Sequence, residues 1–204
     1  MARLFSIRPT WSFKGRRFRG ILRGFSGKPF HPPLTDFPIV CYSLAAVFDL
    51  ISIVSDHMDP KAHDFFAAAT FVMVSGFIVS LGTALTGFMD WWKGIPRDRK
   101  SGWLGRAKHT QVWRTINWHA TVMLTVTAIT LVDILLRVGN FDQGQTTGLW
   151  LVLSLVAGGL VLFGAAYGGT LVFEYGFNVE NVPEVWNESE EDHVRAAKTG
   201  GSAS

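Results

Sequence analysis

The chain has 204 residues, of which 48% are hydrophobic and only 17% charged, with a formal net charge of +3. That length suits one domain, and a mean hydropathy of +0.23 argues against a highly charged soluble globule. Cys41 is the single cysteine, which excludes an intrachain disulfide, a CxxC pair and a cysteine-held cluster.

Residues 1–30 read as a basic cytoplasmic arm. Arg3, Arg8, Lys14, Arg16, Arg17, Arg19, Arg23 and Lys28 stand there with no acid among them. The charged stretch is too long, and the apolar run after it too extended, for a signal peptide. Such an arm suits an anionic leaflet, where each Lys or Arg contributes about 1 kcal/mol. A docking arm for a partner subunit is the competing reading. Nucleic acid is not expected as a partner, because the arm is tethered beside a membrane span.

Four long apolar runs follow, at about 34–55, 65–92, 112–136 and 149–173. Each reaches the roughly 20 residues that cross a bilayer core. "FVMVSGFIVSLGTALTGFM" (71–89) and "LWLVLSLVAGGLVLFGAAYGG" (149–169) hold no charge at all, whereas a soluble helix alternates an apolar stripe with a charged one. The expected fold is therefore an all-α, integral membrane four-helix bundle, the membrane domain occupying residues 31–176. Residues 177–204 form a tail that is acidic from Glu180 onward, then Gly/Ser-rich, and it is expected to fray.

Charge sets the expected orientation. Between spans two and three lie Lys93, Arg97, Arg99, Lys100, Arg106, Lys108 and, at the edge, Arg114, while residues 55–64 hold one Lys and 137–148 one Arg. Positive residues stay in the cytoplasm, so both termini are expected there. The polar groups then sort into two layers. His31, Asp36, Asp90, Glu174 and Tyr175 lie near the cytoplasmic boundary, and His119 lies roughly 10 Å inside it. Asp49, Asp133 and Arg137 fall in the outer half. Asp36 is expected to cap a helix start. Asp49 is costly within a span; protonation and hydrogen bonding to Ser or Thr are the alternatives for it. Asp133 and Arg137, four apart, suit a pair on one helix face, and Arg137 can also snorkel outward. His119 is expected to hydrogen-bond Asp36, Asp90 or Tyr175, or to bind a metal centre.

Asp49 and Asp133 are 84 residues apart, as are Asp90 and Glu174. "FDLI" resembles "VDIL", and "MDW" resembles "FEY", which raises a duplicated helical hairpin. Gly82, Gly87, Gly164, Gly168 and Gly169 are helix-packing candidates; Gly164 and Gly168 make a small-xxx-small pair expected to touch another helix backbone. Trp91, Trp92, Trp103, Trp113, Trp118 and Trp150 suit an aromatic belt. No P-loop, GxSxG, HExxH or dinucleotide fingerprint occurs, so no catalytic residues are assigned. His57 and His63, near Asp56, Asp59 and Asp64, read as a solvated loop and not as a metal site.

"HPPLTDFPIV", "GTALTGFMDW", the intramembrane His119 and "GGTLVFEYGFNV" together resemble a bacterial family of four-helix membrane proteins catalogued as a domain of unknown function. The resemblance covers about residues 28–180. It marks His31, Pro32, Pro38, Asp49, Gly87, Asp90, His119, Gly169 and Gly176. It implies a bacterial inner-membrane location and, through relatives linked to Rieske-type modules, membrane redox work. Many members have a second His where this chain has Asp36.

Three functions follow. The first is a non-catalytic accessory subunit of a larger respiratory or photosynthetic membrane complex, its arm, tail and Trp-rich loops serving as contacts to lipid and to other subunits. The second is a haem b-binding electron-transfer module ligated by His119 and His31. Its obstacle is depth, since His31 is expected roughly 10 Å from His119 along the membrane normal. The third is a small proton or ion pathway through Asp49, Asp90, His119 and Asp133, opposed by an apolar gap at mid-membrane.

Overall fold

The computed structural model describes residues 30–94 and 110–178. The basic arm, the loop at 95–109 with Trp103 and the tail from residue 179 lie outside the described residues, and with them the lipid and subunit contacts expected there.

Four helices, α1 (His31–Val54), α2 (Pro60–Gly94), α3 (Gln111–Val138) and α4 (Gly148–Phe173), are joined with one short 3-10 turn at Phe141–Gln143. All four are long and apolar enough to cross a membrane. The chain is an all-α, four-helix membrane domain.

Local chemistry sets where the helices begin. α1 starts at His31, three residues before the apolar run, because Pro32 and Pro33 occupy its first turn, where no backbone N–H is needed. Asp36 consequently lies inside the helix and exposed; it does not cap, contrary to expectation. Pro38 sits within α1 and cannot donate to the carbonyl of Leu34. The Thr83 hydroxyl of α2 covers that carbonyl at 3.4 Å, so a helix defect becomes an interhelix contact. α2 starts at Pro60, five residues before its apolar run. Asp59 accepts from the Lys61 N–H at 3.0 Å, and an Asp followed by Pro is a strong helix start. α3 and α4 open on Thr110 and Thr147, each accepting from the backbone of a Trp three residues on.

α1 packs against α2 and α4, while α3 packs against α4 and more sparsely against α2. α1 and α3 therefore face each other across the bundle axis, as do α2 and α4. Below, the near end is where α1 and α3 begin, and the far end is where they finish. The middle is filled by Cys41, Tyr42, Val126, Ala157 and Val161, with Tyr42 Oη 2.7 Å from Ser80 Oγ. The near end is closed by Ile116 and Leu171 packed with Trp91, Trp113, Tyr175 and Phe177.

The glycines divide into those that permit close approach and those that do not. A Cβ on Gly76 would lie 2.7 Å from that of Cys41, and one on Gly158 3.4 Å from the Tyr42 carbonyl. The close backbone approach is thus at Gly158, against α1. Gly164 and Gly168 meet side chains of α3 instead, Met123 and His119. Gly82 faces open space and Gly169 meets only Phe173 of its own helix, so neither packs helices together as expected. Phe71, Ile78 and Leu135 point outward with more than 60% of their surface exposed. Such a girdle is a liability in water and the normal surface of a bundle in lipid.

Candidate functional site

α1 carries His31 and Asp49, and α3 carries His119 and Arg137. Each pair is 18 residues apart, which is about five turns, so both members share one helix face about 27 Å apart along the axis. Because α1 and α3 are diagonal, the two faces meet in the bundle interior at both levels.

At the far end the meeting is an ion cluster. Arg137 Nη1 donates to Asp49 Oδ1 at 2.9 Å and Nη2 donates to Asp49 Oδ2. Arg137 Nε donates to Asp133 Oδ1 at 2.9 Å, and Nη2 lies 3.3 Å from Asp133 Oδ2. The Thr146 hydroxyl donates to Asp49 Oδ1 at 2.8 Å. All three charged side chains are fully buried, and the Arg137 guanidinium carbon sits 5.7 Å from the ring centres of both Phe66 and Trp150. Arg137 does not snorkel: two carboxylates and a bidentate geometry offset the cost of burying it. The cluster saturates the guanidinium. It fastens α1 to α3 and leaves little with which to bind a ligand.

At the near end the meeting is a pair of imidazoles. His31 Nδ1 lies 3.0 Å from the Thr83 carbonyl on α2, and His119 Nδ1 lies 2.8 Å from the Gly164 carbonyl on α4. A carbonyl can only accept, so each Nδ1 carries a proton, and in the neutral ring Nε2 keeps its lone pair. The ring centroids are 6.2 Å apart with planes at 85°. Both rings are half-buried. One turn beyond each accepting carbonyl stands a glycine. A Cβ on Gly87 would lie 2.7 Å from His31 Cε1, and one on Gly168 3.2 Å from His119 Cε1.

The two hairpins thus repeat one arrangement: a histidine, a carbonyl on the following helix, and a glycine four residues later. The histidines are 88 residues apart, and the carbonyls and glycines 81. Neither interval is the expected 84. Asp49 and Asp133, which suggested that period, converge on the same arginine and are not geometric counterparts.

The remaining polar candidates stay apart from this pair. Asp36 and Glu174 are exposed, with Thr170 Oγ1 3.5 Å from Glu174 Oε1. Asp90 is half-buried, and Tyr175 packs in the near-end apolar cluster. The partner of His119 is the Gly164 carbonyl, not an acid or a tyrosine of the same layer. His57 is exposed and pairs with Gln145 at 2.8 Å. Among the described residues, no group of three or more His, Cys, Asp or Glu could hold a metal ion.

The family described as "predicted membrane protein (DUF2231)" matches residues 27–181. The chain belongs to this family. The matched DUF2231 region takes in every described residue, so both levels of the α1–α3 pairing lie within it. No curated protein and no solved structure matches the chain.

Sequence reasoning separated the two histidines of this DUF2231 chain because it counted depth from the start of each span. That count assumes helices that start level. α3 instead begins with Gln111, Val112 and Trp113 farther out, so its ninth residue, His119, is level with the first residue of α1. A signal was available in the sequence: 88 residues separate His31 from His119 and also Asp49 from Arg137.

Proposed function

We propose that this DUF2231 protein is a membrane electron-transfer module holding one b-type haem between His31 and His119. The observation that carries it is the ring separation of 6.2 Å. Two imidazoles on opposite sides of one metal have centroids roughly 6 Å apart, from metal–nitrogen bonds of about 2 Å and a ring radius of about 1 Å. The donor set points to haem over a bare ion. Protein-bound zinc takes about four ligands, and the site offers two imidazoles. Haem brings four of its own and asks the protein for one or two axial ligands.

His31 and His119 would hold the group, and Gly87 and Gly168 leave room for the two imidazole rings themselves. Each Nδ1–H donated to a carbonyl fixes the ring and raises the basicity of Nε2 as a ligand. When bound, haem supplies one-electron transfer; the chain supplies the axial pair, its orientation and exclusion of water. A proton or ion pathway is less well supported. The middle of the bundle buries the hydroxyls of Tyr42, Ser80, Thr130 and Ser154 but no carboxylate or imidazole among the described residues, and Thr125 and Thr127 turn back to carbonyls of their own helix. Membership in a larger membrane complex fits the same reading, the chain then being the subunit that carries a redox centre.

The test is an absorbance spectrum of detergent-purified protein, with a Soret band and one haem per chain expected. Gly87→Leu and Gly168→Leu should lose the band, since the new side chain displaces a ligand. Gly82→Leu, which fills open space, should keep it. Colourless protein that binds no added haem would overturn the proposal.

A further inference from the structure

We infer that this redox centre exchanges electrons through the near end alone, with a one-electron donor and a one-electron acceptor that both reach it on that side, so the chain does not conduct electrons across the membrane. The inference rests on the haem reading above and adds its direction. His31 is the first residue of α1, and His119 is the ninth of α3. The cover between them and the near surface is thin and largely aromatic. Trp91 packs against Ile116 and Leu171, about one turn from His119 and Gly168, and its ring centre is 6.2 Å from that of Trp92. Trp92 is 39% exposed, so apolar cover about one turn deep separates the site from the near surface.

The other direction is closed. The far-end cluster is about 27 Å from the histidines along α1 and α3, and the rate of electron tunnelling falls exponentially with distance. Between the levels lie Cys41, Tyr42, Val126, Ala157 and Val161, and then Ala45, Met73 and Ile134. Crossing would need a second centre in the far half. Among the described residues, the histidines of that half are His57 and His63, both exposed on or beside the loop; His57 pairs with Gln145 and His63 meets the Phe141 ring, and neither faces a second imidazole. The electron balance is simple. With haem bound, the donor would lose one electron to it and the acceptor would remove that electron, while His31 and His119 would remain its ligands, so no proton or bond would change place.

The experiment uses the full chain in sealed lipid vesicles, with Cys41→Ser and a single cysteine at exposed Met58, on the far-end loop. An impermeant thiol reagent labels those molecules whose far end faces outward. The haem is reduced, and impermeant ferricyanide is added outside. The fraction oxidised in the fast phase should equal the unlabelled fraction, and the rest should stay reduced until detergent is added. Gln143→Cys, also at the far end, should give the same match if Met58→Cys folds poorly. Fast oxidation of every molecule, or a fast fraction equal to the labelled one, would overturn the inference while leaving the haem site standing. A preparation without a haem band would overturn both.

Discussion

Replacing His119 by Gln is expected to abolish stable haem binding while leaving the bundle folded. The amide N–H of Gln can still donate to the Gly164 carbonyl, which His119 Nδ1 meets at 2.8 Å. A buried polar group that keeps its partner costs little. What Gln lacks is the imidazole lone pair on the opposite edge. Haem occupancy should fall by tenfold or more, because a lost axial bond exceeds the ~1.4 kcal/mol that a factor of ten represents. His31→Gln should behave alike, through the Thr83 carbonyl. Haem content per chain and the unfolding midpoint in detergent separate the two effects. Full haem content in either variant would remove that histidine from the site. Loss of folding along with haem would show that the imidazole mainly holds helices together.

The second large effect belongs to the far end. Arg137→Leu should destabilise the protein by about 3–5 kcal/mol, because it strands two buried carboxylates without their cation. Thr146→Val removes one hydrogen bond to Asp49 and should cost only about 1 kcal/mol. Replacing Asp49, Asp133 and Arg137 all by Leu should recover most of the loss, since a buried ion cluster seldom outperforms apolar packing. In that triple variant the haem band should persist, the histidines being about 27 Å away. Equilibrium unfolding in mixed detergent measures all three. A mild Arg137→Leu phenotype would mean that water or lipid headgroups reach the carboxylates.

The architecture was legible in the sequence because lipid imposes a coarse rule. About twenty residues that are almost all apolar leave little choice but a spanning helix, and the chain has four such runs. The sites were less legible. Asp133 and Arg137 could be paired from their spacing on one helix, but the reach of Arg137 to Asp49 depends on which helices are diagonal, and hydropathy does not carry that. The same holds for the histidines. His119 was recognisable as an inward polar group, yet its partner carbonyl belongs to Gly164, a position that looks like packing alone. Gly87 and Gly168 stand where they do because of the rings they clear, whereas Gly82 and Gly169, equally plausible by composition, clear nothing. Side-chain type marks a candidate; the neighbouring helix decides what it does.

The central claim is that two histidines from diagonal helices hold one haem, and electron paramagnetic resonance of the oxidised, purified protein tests it most directly. Ring planes at 85° predict a low-spin ferric signal of the strongly anisotropic kind that nearly perpendicular imidazoles produce, present in the wild type and absent in both His31→Gln and His119→Gln. A high-spin signal, a low-spin signal that survives either substitution, or no haem iron at all would contradict the account.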